Sequence, residues 1–115
     1  MDALHYLPIS EIATRLRSRE LSSVELTRHM LERIDSLDGD LRAYATVTPE
    51  LALAQAEAAD STVGSGPARG PLHGVPIAIK DLCATKGIPT MGGSGVFADN
   101  VPSIDATVVQ RLRDA

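Results

Sequence analysis

The sequence predicts an α/β chain, mostly helical with one core strand near residues 75–79. Three observations carry this reading. The stretch "LSSVEL" opens a segment whose apolar residues recur at helical spacing. The run Val75-Pro76-Ile77-Ala78-Ile79 is apolar and rich in β-branched residues, and Lys80-Asp81 ends it. The closing "IDATVVQRLRDA" is amphipathic at helical period. With 115 residues, 43% of them hydrophobic, the chain has the size of one small domain and enough apolar content to want a core.

Composition narrows the function classes. Eleven basic against 15 acidic residues leave a formal charge of −4, and aromatics make up only 3% with no Trp. A nucleic-acid surface built on phosphate contacts or base stacking is therefore not expected from this segment. No apolar run reaches the roughly 18–20 residues of a membrane span, and "MDALHYLPIS" lacks the basic-then-apolar order of a signal peptide, so the cytoplasm is the default compartment. Cys83 is the single cysteine, with no partner for an internal disulfide and no Cys or His neighbours at metal-ligand spacing.

Taken in order, Ser10 is expected to cap a short helix over about 11–19, with Ile12, Ala13 and Leu16 on its buried face. Ser22 and Glu25 form a capping box, flanked by Leu21 and Leu26 at the spacing of a hydrophobic staple. The second helix they open should bury Leu26, Met30, Ile34 and Leu37 and stop at Gly39. After an extended piece over 44–47, Thr48 caps and Pro49 begins a third helix reaching about Asp60. The helical segment thus covers 1–60, a loop 61–74, the strand and lysine motif 75–94, and a final helix about 105–115. That last helix should start near Asp105 and bury Val108, Val109 and Leu112. Within the strand, alternation puts Val75, Ile77 and Ile79 on one face and Ala78 and Lys80 on the other.

Lys80 is the candidate for chemistry. On composition alone it is a solvated lysine, paired with Asp81. A phosphate-binding loop is excluded, because that motif needs its glycines between strand and lysine and a Ser or Thr after it, whereas Gly70 and Gly74 precede the strand and Asp81 follows. A third reading makes Lys80 a general base at the carboxyl end of a buried strand, where ligands of open α/β sheets gather. A lysine in that role must be largely neutral near pH 7, about 4 kcal/mol from its free state, which desolvation can supply.

The string "GPLHGVPIAIKDL", followed by Gly87, Thr90, Gly93 and Ser94 in G-x-x-T-x-x-G-S and by "DATVVQRLRDA", resembles the N-terminal part of the amidase signature family. The similarity extends back through "SSVELTRHMLERID" and so covers most of the chain. It implies a hydrolase acting on carbon–nitrogen bonds other than peptide bonds, with a Ser–cis-Ser–Lys triad. Lys80 matches the triad lysine, and both serines belong to a Gly/Ser-rich segment that follows Ala115 in the family. The chain is then the truncated N-terminal part of a single amidase-like catalytic domain, itself inactive. The final helix agrees, since it runs into Asp114-Ala115 without a stop signal, and so does a strand with no second strand to pair with.

The resemblance implies a small-molecule amide as partner, allows a homodimer of the full-length protein, and implies no metal, organic cofactor or membrane. Ser94 matches a structural position, not the nucleophile. Asp81 is expected to bond backbone N–H groups, Thr90 and Gly93 to shape the loop, His73 to be exposed or backbone-bonded, and Cys83 to be a small packed residue. Two rivals stand beside the amidase: the A subunit of a tRNA-dependent amidotransferase, and a non-catalytic helical interaction module. Truncation would leave Val75, Ile77 and Ile79 poorly covered and Lys80 exposed; pairing of the strand on both sides would favour the module.

Overall fold

The computed structural model describes residues 3–63 and 70–115. The chain divides into two compact units, Met1–Pro76 and Ile77–Ala115.

The first unit is built from α1 (Ile9–Arg17), α2 (Ser23–Leu41) and α3 (Pro49–Thr62), preceded by a 3₁₀ turn over Leu4–Tyr6. Ile12, Leu16, Leu21 and Leu26 form its core, and Leu4, Leu7, Met30 and Val75 pack against them. Leu26 is fully buried, as expected of a residue one turn into a stapled helix. Ala56 is buried on α3, which packs against α2; a methyl side chain there permits close helix approach.

All four N–H groups at the start of α2 have partners, which explains why this helix begins where it does. Ser22 N–H donates to the Glu25 carboxylate at 2.9 Å, and Glu25 N–H to Ser22 Oγ at 3.0 Å, completing the capping box. The two groups between them, Ser23 N–H and Val24 N–H, donate to the two oxygens of Asp60 at 2.7 and 3.0 Å. Asp60 lies near the end of α3, so one carboxylate both satisfies orphan donors and fastens two helices together.

Several boundaries differ from the sequence expectation. Helix α1 starts one residue before Ser10, with Pro8 at the cap, and the Ser10 carbonyl accepts instead from Thr14 Oγ1. Gly39 does not end α2. The helix continues to Leu41, and Arg42 takes the left-handed conformation at φ 49° while Asp38 accepts from Ala43 N–H and Tyr44 N–H. Helix α3 does have Thr48 before Pro49, without a bond from the Thr48 side chain, and extends to Thr62. Of the expected loop 61–74, residues 64–69 lie outside the described residues.

The expected core strand at 75–79 is absent. Residues 75–80 have no regular secondary structure, and no ladder forms among the described residues. Val75 N–H is spent on the Leu72 carbonyl at 3.0 Å and Pro76 has no N–H to give. Val75 packs on the core of the first unit, whereas Ile77 and Ile79 are 41% and 37% exposed. The hydrophobic pattern is that of a buried strand, but the neighbours that would bury and pair it are not supplied by the described residues. No helix among them is long and apolar enough to cross a membrane.

The second unit contains a 3₁₀ turn over Gly95–Phe97 and helix α4 (Thr107–Asp114). This helix starts later than expected. Asp105 lies outside α4, with Ala106 at the cap, and Val109 is buried while Val108 is 48% exposed.

Candidate active site

The region after Lys80 is a loop held by isolated bonds instead of a sheet. Ala106 N–H donates to the Ala84 carbonyl, Gly87 N–H to Pro102 and Thr90 N–H to Asn100, at 2.8, 3.0 and 2.9 Å. Partner numbers fall as the first numbers rise, so residues 84–90 and 100–106 run antiparallel. The bonds recur every third residue on the first segment, not every second, and Pro89 and Pro102 donate nothing, which is why no regular ladder forms. Asn100 Nδ2 also donates to the Thr90 carbonyl at 2.8 Å, making the Thr90–Asn100 contact reciprocal. Asp105 accepts from Lys86 N–H at 2.8 Å and pairs with Arg113 on α4.

Lys80 stands at the head of this loop. Its carbonyl accepts from Cys83 N–H at 3.0 Å, closing a tight turn over 80–83, and its side chain is exposed. Among the described residues no ion pair or hydrogen bond engages its ammonium, so the solvated pair with Asp81 does not form. Asp81 is engaged elsewhere. Its Oδ1 accepts from Met91 N–H at 2.9 Å and its carbonyl from Gly92 N–H at 2.7 Å.

The chain reverses at that point. Gly92 and Gly93 have φ of 61° and 74°, and Ser94 N–H donates to the Met91 carbonyl at 3.1 Å. Positive φ at both central residues is a type I′ pattern, which favours Gly over any residue with a Cβ. Ser94 Oγ then accepts from Val96 N–H at 3.3 Å, capping the 3₁₀ turn. That bond gives Ser94 the structural role expected of it.

The remaining candidates fall into place individually. Thr90 is buried, with its hydroxyl bonded to the Ile88 carbonyl, and so belongs to the loop frame. Cys83 is half-buried with a free thiol. His73 lies in the first unit, where Nε2 is 3.1 Å from the Ala59 carbonyl and 3.0 Å from Thr62 Oγ1. Among the described residues no group of three or more His, Cys, Asp or Glu side chains could hold a metal ion. Asn100, Asp105 and Asp60 are framework residues that sequence reasoning missed, or in the case of Asp105 assigned to the wrong job. Their contacts span 10 to 37 residues and leave no local signature.

Residues 25–115 match the family named Amidase, and the chain belongs to it. It is 50% identical over 114 residues to AmiD of Mycobacterium tuberculosis, which is named as an amidase, covering 99% of this chain and 24% of that protein. Over 109 residues it is 50% identical to the A subunit of the glutamyl-tRNA(Gln) amidotransferase of Geobacter metallireducens, covering 95% of this chain and 22% of that one. The crystal structure of PAM12A resembles it with a TM-score of 0.86 at 36% identity, over 95% of this chain and 22% of PAM12A. The chain therefore spans about a quarter of the length of the relatives it matches.

Proposed function

We propose that this chain carries the lysine of an amide hydrolase that uses a Ser–cis-Ser–Lys triad, with Lys80 as the base. The observation that supports it is the place of Lys80 in the chain: it stands at the head of a glycine-hinged loop, inside the residues 25–115 that match the amidase family. In this reading a serine outside these residues attacks the carbonyl of a small-molecule amide. Its proton passes through the bridging serine to the Lys80 amine. The tetrahedral adduct collapses to an acyl-enzyme as ammonia or amine departs, and water then releases the acid. The cytoplasm is proposed as the compartment.

The test substitutes Lys80 in the gene product that carries these residues. Lys80→Ala should lower amide turnover by at least about 10²–10⁴-fold, the range of a lost general base, with folding retained. Lys80→Arg should fail equally, because a guanidinium does not become neutral at working pH. Near-normal turnover in either variant would remove Lys80 from the mechanism. The 115-residue chain alone should hydrolyse no amide, and a fluorophosphonate probe, which labels activated serines, should leave it unmodified. Stoichiometric labelling at Ser94 would refute that.

The second reading, the A subunit of an amidotransferase, is supported by the 50% identity to the Geobacter protein. Ammonia delivered to an acceptor, not free acid as sole product, would identify it.

A further inference from the structure

We propose that Asp81 is a positioning residue for Lys80, a two-point clamp that fixes the lysine's main chain against the Met91–Gly92 corner. The proposal rests on the reading of Lys80 as the base.

Two consecutive N–H groups, Met91 and Gly92, converge on one residue, the first on the Asp81 carboxylate at 2.9 Å and the second on its carbonyl at 2.7 Å. The Lys80 carbonyl is held separately by Cys83 N–H. Asp81 is thus tied by both backbone and side chain, and Lys80 is the residue directly before it. The corner it grips is itself narrowly defined, because Gly92 and Gly93 both sit at positive φ and the Ser94-to-Met91 bond closes the turn. A base whose amine must meet a serine hydroxyl at hydrogen-bond distance gains from such a frame, since a displacement of about 1 Å can cost about a hundredfold in rate.

The clamp also decides where the carboxylate does not go. An Asp beside a lysine would ordinarily pair with it and favour the ammonium form, which cannot accept a proton. Here Oδ1 accepts from Met91 N–H, and among the described residues Asp81 forms no ion pair with Lys80. The side chain's task is to accept a hydrogen bond, a task that does not require charge. An asparagine oxygen can do the same, whereas alanine cannot.

The experiment compares Asp81→Ala, Asp81→Asn and Lys80→Ala in the gene product that carries this chain, measuring kcat and KM for amide hydrolysis and the exchange protection of the Met91 amide. Asp81→Ala should lower kcat by about a hundredfold with KM little changed, and should expose the Met91 amide. Asp81→Asn should recover kcat to within about tenfold of the parent, the difference expected between a charged and a neutral acceptor, and should restore protection. An inactive Lys80→Ala alongside an Asp81→Ala of parental kcat would overturn the clamp while leaving the lysine in place. An active Lys80→Ala would instead defeat the reading on which the clamp rests. If Asp81→Ala does not fold, Asp81→Asn decides alone, and a loss as deep as that of Lys80→Ala counts against the proposal.

Discussion

Gly74 shows how one residue governs the approach to the lysine segment. It sits at φ 81°, its carbonyl accepts from Ser23 Oγ at 2.6 Å, and a Cβ placed there would meet the Ser23 Cβ at 3.4 Å. Ser23 is buried on α2, so the turn before Val75 lies against that helix, and an added Cβ would meet it at ordinary contact distance. Gly74→Ala should therefore destabilise the first unit by about 1–2 kcal/mol from the left-handed backbone alone. Urea unfolding monitored by circular dichroism measures it, and an unchanged midpoint would show that the turn adopts another conformation. Contrast this with Gly93, where the Cβ would meet open space and only the backbone restricts the choice.

Among the elements, α2 is capped at both ends by carboxylates that reach backbone N–H groups. Asp60 supplies two bonds at the start and Asp38 closes the end. Gly39 lies inside this helix, without a positive φ, and a Cβ added there would have nothing within 4 Å. Gly39→Ala should then stabilise the protein by about 1 kcal/mol, the helix-propensity difference. A glycine acting as the helix stop would give the opposite sign, so the direction of the shift in thermal midpoint decides between the two. The local pattern pointed to Gly39 as a terminator because a glycine just after the last periodic apolar residue, Leu37, commonly supplies a helix C-cap. The structure extends the helix past it because Asp38 can hold the chain reversal further on, through Ala43 and Tyr44, with Arg42 bearing the left-handed turn.

For the molecule as a whole, acid should act on the first unit through two identified groups. His5 Nδ1 and His29 Nε2 are 2.9 Å apart with their rings stacked, a contact that needs at least one neutral imidazole. Partial burial, then the Arg33 charge, then His29 hold the His5 imidazole below its ordinary value of 6.5. A histidine with a depressed folded value binds its proton more readily when unfolded. Its contribution to stability is therefore present above pH 6.5 and lost as pH falls through the folded value. Glu25, lowered from 4.5 by the Ser22 backbone and side-chain hydrogen bonds, behaves alike at lower pH: its contribution is complete above 4.5 and lost below. Stability followed by urea midpoint should fall on acidification in two stages, and His5→Gln should remove the upper one. A profile flat from about pH 7 to 5 in the parent would refute the role of the histidine pair.

Much of this was legible from the residues in order: the helices of the first unit, the capping box at Ser22 and Glu25, the structural part of Ser94, and the family, read from the motif around Lys80. Helix periodicity, caps and turn glycines act within a few residues, and that motif is contiguous in the chain. That residues 75–80 form no strand had to come from the folded chain, since a strand exists through its partners and no single segment encodes whether they are present. Folding alone placed Asp60 on the start of α2 and Asn100 on Thr90, and it chose Met91 as the backbone N–H that the Asp81 carboxylate, expected to bond such a group, accepts from. Each of these is a choice among acceptors and donors distant in sequence, settled by which groups folding brings within about 3 Å of one another.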